Sequence, residues 1–170
     1  MIDVGGSRGV KSLAIIKHYP QLSALIVDRP QVIAEAQSYW ANHPEDAVKR
    51  LRFQAGDLFT KVPMATDHKD IYLLSTVLHS FNDSMCVQVL QRVREAIAGS
   101  GARVAILEMV VPERGADLAS ASFDMQMFVG CQGRERTLSE WKAIIQASEL
   151  LLEEVIHLRS LGSILVLCSQ

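Results

Sequence analysis

The sequence predicts an α/β fold: a mostly parallel seven-stranded sheet, helices on both of its faces, and an antiparallel hairpin at the end. Three observations carry this reading. Short apolar runs alternate with segments of helical period, the order expected of a parallel sheet covered on both faces. The first run opens directly into a glycine-rich turn, and acidic residues recur where the early runs stop. The last two runs, Leu151–Leu158 and Ser163–Cys168, are separated only by Arg159–Gly162, too short for a crossover helix, so they read as antiparallel neighbours.

Met1–Val4 is a short apolar start, and Gly5-Gly6-Ser7-Arg8-Gly9 must bend sharply after it. Lys11–His18 follows at helical period, with Leu13, Ala14 and Ile16 on one side, and Pro20 closes it. Ala24–Val27 is a buried strand that stops at Asp28, and Pro30 suits the first turn of a helix running to about Trp40. Asn42-His43-Pro44 is a break, a short turn starts at Glu45, and Leu51–Ala55 is a third strand ending at Gly56-Asp57. Ile71–Ser75 is a fourth strand, followed by Val77-Leu78-His79. Asp83 is the expected N-cap of a helix to about Ala98, which Gly99-Ser100-Gly101 ends. Arg103–Val110 is a fifth strand and Asp117–Val129 a further helix. Thr137-Leu138-Ser139-Glu140 has capping-box spacing for a helix to about Ser148.

The length of 170 residues suits one domain with a single sizeable core. A formal net charge of −2 argues against a broad basic surface for nucleic acid. A hydrophobic fraction of 49% with 21% charged residues argues against a disordered chain. No apolar run approaches the roughly 20 residues that span a bilayer, and Glu108 breaks the longest, around Val104–Val111. Asp3 and the glycines after it break any apolar secretory signal at the start, so a cytoplasmic location is expected. Cys86, Cys131 and Cys168 are odd in number and widely spaced, with neither a CxxC pair nor a zinc pattern. Free thiols in a reducing compartment, and no metal site, are expected.

In such sheets a ligand binds beyond the carboxyl ends of the strands, where the strand order reverses. The first candidate is the loop from Asp3 to Gly9, whose glycines let the backbone approach a ligand and tolerate positive φ. An ordinary tight turn would look the same. Asp28 follows Gly9 at about the 20-residue spacing of an acid that accepts from both hydroxyls of a ribose, and could instead cap the helix at Pro30. This pair suits a nicotinamide cofactor and S-adenosylmethionine equally. In Gly56-Asp57-Leu58-Phe59, Asp57 could accept from the exocyclic amine of adenine while Leu58 packs on the ring. That third acid lies outside the dinucleotide pattern and shifts weight toward S-adenosylmethionine. His79, just past the fourth strand, reads as a general base, because an ordinary pKa of about 6.5 leaves it largely neutral at pH 7. His18, His43, His68 and His157 fall in turns or at element ends and read as solvated. Glu108 is costly to bury without a partner, and orienting His79 would explain it. Phe123, Met125, Met127 and Phe128 form an apolar stripe that suits either plain core or a flat pocket for an aromatic ring.

Five stretches occur in order across nearly the whole chain: Ile2-Asp3-Val4-Gly5-Gly6-Ser7-Arg8-Gly9, Gly56-Asp57-Leu58-Phe59, Val77-Leu78-His79 with Asp83 and Cys86 after it, Glu108-Met109-Val110-Val111-Pro112-Glu113, and Gly133-Arg134-Glu135-Arg136-Thr137. Each is weak alone. Together they resemble the catalytic domain of the S-adenosylmethionine-dependent O-methyltransferases of the caffeate and acetylserotonin type. The resemblance implies a Rossmann-like class I methyltransferase fold over residues 1–170. It implies S-adenosylmethionine as cofactor, S-adenosylhomocysteine as product, and a small hydroxylated acceptor, phenolic or polyketide-like. Asp3, Gly5 and Gly6 would hold the methionine part, Asp28 the ribose, and Asp57 and Leu58 the adenine, with Ser75 and Phe81 completing the cofactor-binding set. The histidine equivalent to His79 takes the proton from the acceptor hydroxyl, and Glu108 and Glu135 flank it and fix the imidazole. No metal is implied.

The chain departs from the family pattern in places. The usual His-Asp-Trp is here His79-Ser80-Phe81, Ser75 stands where a basic residue is frequent, and Ser7 replaces a glycine. The chain also starts inside what reads as the first strand, without the helical domain through which family members dimerise and close over substrate. A catalytic domain truncated at its N-terminus and prone to self-association is therefore expected. Ser80 and the missing lid keep a second reading open, a relative that binds S-adenosylmethionine without methylating. A nicotinamide-dependent dehydrogenase is disfavoured by Asp57, by the closing hairpin and by the lack of a Tyr-x-x-x-Lys pair. Neither nucleic acid nor membrane is an expected partner.

Overall fold

A computed structural model of the chain describes residues 1–169. The apolar runs become β1 (Ile2–Val4), β2 (Ala24–Asp28), β3 (Leu51–Ala55), β4 (Ile71–Ser75), β5 (Arg103–Val111), β7 (Leu150–His157) and β8 (Gly162–Ser169), with a two-residue β6 (Arg136–Thr137) before the closing hairpin. The sheet order is β3-β2-β1-β4-β5-β8-β7, and β6 pairs with the end of β5. β1 to β5 are parallel, whereas β8 runs antiparallel between β5 and β7. The sequence reading has the seven main strands and the hairpin. It lacks β6, because two residues carry no readable period.

The period of two along the strands feeds two cores. On β2, Ile26 packs with Leu13, Ile16, Ile33 and Trp40, while its neighbour Val27 packs on the other face with Val4, Leu74 and Leu78. The first core lies under α1 (Val10–His18) and α2 (Pro30–Trp40). The second lies under α3 (Asp83–Ile97) and α5 (Leu138–Ala147), the latter following α4 (Leu118–Cys131) in the chain. In α3 the buried residues Cys86, Val89, Leu90, Val93 and Ile97 recur at helical spacing. Full burial of each larger apolar side chain contributes about 1.5–3 kcal/mol.

One expectation needs correction. The N-cap of α3 is Asn82, whose side chain accepts from the Met85 amide at 3.0 Å. Asp83 is instead drawn to Arg134 and Arg136. Of the two readings open for the stripe on α4, plain core is excluded: this helix buries only Ser120, and Met125 and Phe128 are exposed. The capping box at Thr137 and Glu140 is present as expected. Cys86, Cys131 and Cys168 are free thiols, and no described helix is long and apolar enough to cross a membrane.

Candidate active site

β1 lies between β2 and β4, and the chain winds outward from this pair in both directions. Such a reversal leaves a crevice beyond the carboxyl ends of β1 and β4. One part of it, a cavity of ≈ 550 Å³, is bordered by Asp3, Gly6, Lys11, Ser75 and Thr76. A second, ≈ 520 Å³, is bordered by Asp28, Asp57, Leu58 and Phe81, and both parts reach Gly5 and Thr76. A third, predominantly apolar cavity of ≈ 580 Å³ is lined by Thr76, His79, Phe123, Gln126, Met127 and Leu161. The two residues of the α4 stripe that face inward thus serve a pocket.

The sequence-predicted residues Asp3, Gly5, Gly6, Asp28, Asp57, Leu58, Ser75 and Phe81 all border this crevice. A Cβ at Gly6 would lie 2.5 Å from the Asp3 carboxylate, so only glycine lets the loop fold over that acid. Asp3 is 2% exposed, accepts from the Ser12 hydroxyl through Oδ2, and has no partner at Oδ1. Its burial raises its pKa. Ser7 takes the left-handed conformation at φ 53° and donates its amide to Asp28 Oδ2 at 2.9 Å. Asp28 Oδ1 accepts the Arg29 amide at 2.8 Å, and α2 has no side-chain cap, so Asp28 ties the glycine loop to β2 and does not cap the helix. Asp57 Oδ1 accepts from the Phe59 amide at 2.9 Å, and Phe59 meets Phe81 edge to face. Ser75 is already engaged, since its hydroxyl accepts from Lys11 Nζ at 2.9 Å.

His79 sits on a 3-10 turn, Leu78–Ser80, just past β4. Glu108 on β5 holds that turn: its Oε1 accepts the Val77 and Leu78 amides, each at 2.9 Å. Its Oε2 lies 3.5 Å from His79 Nδ1, and Glu135 Oε1 lies 3.1 Å from the same nitrogen. Both carboxylates therefore address Nδ1. A proton held there leaves the lone pair of the neutral ring on Nε2. The hydrogen bond that His79 donates to Glu135, then the charge of Glu108, raise the His79 pKa against the opposing effect of burial. This corrects the expectation of an ordinary imidazole, which the sequence alone would leave largely neutral at pH 7. Burial raises the pKa of Glu108, which is 2% exposed. The ligand atoms of His79, Glu108 and Glu135 lie within 4.8 Å of one another. One Glu108 oxygen is committed to backbone amides and Glu135 to the imidazole, an arrangement suited to orienting the ring.

Several supporting residues escaped the sequence reading. Arg136 is 0% exposed and donates to the Leu78 carbonyl at 3.2 Å, the Phe81 carbonyl at 2.6 Å and Asp83 Oδ1 at 2.9 Å. It clamps the turn that carries His79. Gly133 lies so close to that turn that an added Cβ would stand 2.0 Å from the His79 carbonyl oxygen. Asp124 accepts the Glu135 amide at 2.8 Å. Thr76 borders all three cavities in a left-handed conformation, φ 55°, unusual for a β-branched residue. In sequence, Arg136 and Gly133 belong to one of the stretches that carry the resemblance, but nothing local assigns either a structural role.

A doubly wound sheet with an antiparallel closing hairpin, an acid-flanked glycine loop at its reversal point and a carboxylate-backed histidine beside an apolar cavity together define a class I methyltransferase fold. The family comparison is more specific: residues 1–149 match the O-methyltransferase domain, and the chain belongs to that family. It is 34% identical over 170 residues to the trans-resveratrol di-O-methyltransferase of Vitis vinifera, covering 95% of this chain and 44% of that protein. It is 31% identical over 154 residues to the O-methyltransferase fsr2 of Gibberella fujikuroi, covering 88% of this chain and 39% of that protein. Among solved structures, LaPhzM superposes with a TM-score of 0.90 at 29% identity, over 99% of this chain and 49% of that one. CalO1, a methyltransferase of calicheamicin biosynthesis in its S-adenosylhomocysteine-bound form, gives 0.85 at 29% identity, over 99% and 48%. The chain thus spans less than half the length of these relatives.

Proposed function

We propose that this domain binds S-adenosylmethionine in the crevice and transfers its methyl group to a hydroxyl of a small aromatic acceptor. The observation that carries the reading is the placement of His79, braced at Nδ1 by Glu135 and Glu108, on the wall of an apolar cavity that meets the crevice at Thr76. The crevice suits the cofactor: Asp28 and Asp57 offer carboxylates on one side, and Asp3 holds a buried oxygen without a partner on the other. The bound cofactor supplies an already activated sulfonium methyl. Gly5, Gly6 and Asp3 would hold its methionine part, Asp28 the ribose, and Asp57 with Leu58 and Phe81 the adenine. The chain's own work is to align the acceptor oxygen and remove its proton. His79 Nε2 takes that proton, and the two carboxylates on Nδ1 steady the imidazolium that forms. Phe123, Met127 and Leu161 give the acceptor flat apolar walls. Homodimerisation belongs to the same reading, supported by the exposed Leu118, Phe128 and Val129 of α4.

Thermal shift with S-adenosylhomocysteine against NAD tests the cofactor, and labelled methyl transfer to a panel of phenols tests the activity. His79→Ala should lower turnover by about 10²–10⁴-fold with cofactor affinity nearly unchanged. Stabilisation by NAD alone would refute the cofactor, and full activity in His79→Ala would refute the base.

A further inference from the structure

The geometry points to Lys11 as the group that receives the carboxylate of the cofactor's amino-acid end, opposite Asp3, so that the two form a receptor for a zwitterion. This rests on the cofactor reading above and names a residue that it does not use. Lys11 Nζ reaches across the crevice to the hydroxyls of Ser75, at 2.9 Å, and Thr76, at 2.6 Å. Among the described residues it forms no ion pair, and both of its hydrogen-bond acceptors are neutral hydroxyls. Its place in the first turn of α1 is unfavourable for the helix, because a cation there opposes the helix dipole. That turn has neither an acidic residue nor a side-chain cap. A local choice that costs helix stability points to a role elsewhere.

Asp3 is the second, independent observation. It lines the same cavity, is 2% exposed, and leaves Oδ1 without a partner. A buried acceptor without a donor is matched by a ligand that brings one. An α-ammonium satisfies Asp3, and an α-carboxylate satisfies both the Lys11 ammonium and the amide dipole at the start of α1. The two charges thus select an α-amino acid end over any uncharged or singly charged replacement. Lys11 also supplies, from α1, a cation beside Ser75, where the sequence lacks a basic residue on β4.

The test is calorimetry on the 170-residue chain and its Lys11→Met and Lys11→Arg variants with three probes. These are S-adenosylhomocysteine, its decarboxylated analogue, and 5′-methylthioadenosine, which lacks the amino-acid end. Lys11→Met should weaken S-adenosylhomocysteine by about 10-fold or more, the scale of one lost charged hydrogen bond. The other two probes should change by less than about twofold, since neither carries the carboxylate. Lys11→Arg should restore most of the affinity. Unchanged S-adenosylhomocysteine binding in Lys11→Met, or an equal loss for all three probes, would overturn the assignment. If the unaltered chain binds none of the three, the cofactor reading itself fails and takes the assignment with it.

Discussion

Replacing Arg136 by Met removes the clamp on the histidine turn while keeping an unbranched side chain in the same space. The losses can be ranked from the structure. The Phe81 carbonyl loses its short 2.6 Å donor and keeps only a distant thiol, Cys86 Sγ at 3.8 Å. The Leu78 carbonyl still accepts from the Phe81 amide and from Cys86, so it loses less. Asp83 is half exposed and keeps Arg134 at 2.7 Å, so its cost is that of a surface pair. The guanidinium also leaves the Trp141 ring, 5.3 Å away. One unsatisfied carbonyl costs about 1–3 kcal/mol, the exposed pair with Asp83 at most about 1 kcal/mol, and the contact with the Trp141 ring about 0.5–1 kcal/mol. Together these come to about 3 kcal/mol. For a domain of this size that lowers the melting temperature by about 6–12 °C. Scanning calorimetry measures it. Arg136→Lys should fall between Arg136→Met and the unaltered chain, because a single ammonium cannot reproduce the fork that reaches all three acceptors. Below both melting points, turnover of Arg136→Met should fall by about 10²-fold, the cost of a misplaced catalytic group. A melting shift under about 2 °C, or full recovery in Arg136→Lys, would refute the clamp.

Gly133→Ala should destabilise by more than the about 1–3 kcal/mol of ordinary overpacking, because the colliding atom is the backbone oxygen of His79; an unchanged urea midpoint would count against it. Glu135→Gln should move the acid limb of the rate profile to lower pH. In the proposed role His79 acts only when deprotonated, its pKa is raised chiefly by Glu135, and removing that charge lowers it; a limb that stays put would assign the limb to another group. Asp28→Ala should weaken S-adenosylhomocysteine by about 1.5–3 kcal/mol in calorimetry, since it removes a charged acceptor and frees the Ser7 amide that closes the loop. Equal affinity would take Asp28 out of the site.

Much of this was legible in the chain before any coordinates. β3 and β4 begin and end where their apolar runs do, with Gly56 closing the first and Asp70 opening the second. The acids at strand ends could be placed because topology, not side-chain packing, brings them to one crevice. Glu108 was readable as an anomaly, a charge inside an apolar strand, and its role followed from its cost. What escaped was whatever depends on packing between distant segments. Arg136 looks like a surface residue in a polar run, and only the fold shows it sealed under the histidine turn. The shift from Asp83 to Asn82 as N-cap has the same cause, a partner fifty residues away competing for the carboxylate. The apolar stripe of α4 stayed open between core and pocket because periodicity reports a helix but not what covers it. Lys11 carries no local signal beyond being a cation at the wrong end of a helix.

The two halves of the site are built with different stiffness, and the chemistry asks for that. His79 is held through its backbone by Glu108 and Arg136 and through its ring by Glu135, so its orientation is fixed before any acceptor arrives. Raising its pKa reduces the deprotonated fraction near neutrality but makes the ring a stronger base. That exchange is favourable when the proton to be removed belongs to a phenol, whose pKa of about 10 lies well above that of an ordinary imidazole. The acceptor side, by contrast, is walled by Phe123 and Met127 from α4, a helix with almost no buried surface of its own. In the proposed function, a rigid base facing an adaptable wall would let one fold serve acceptors of different outline while the proton leaves to the same atom. The strain held at Thr76, where the three cavities meet, belongs to the rigid half, since a left-handed β-branched residue persists only where its surroundings leave it no alternative.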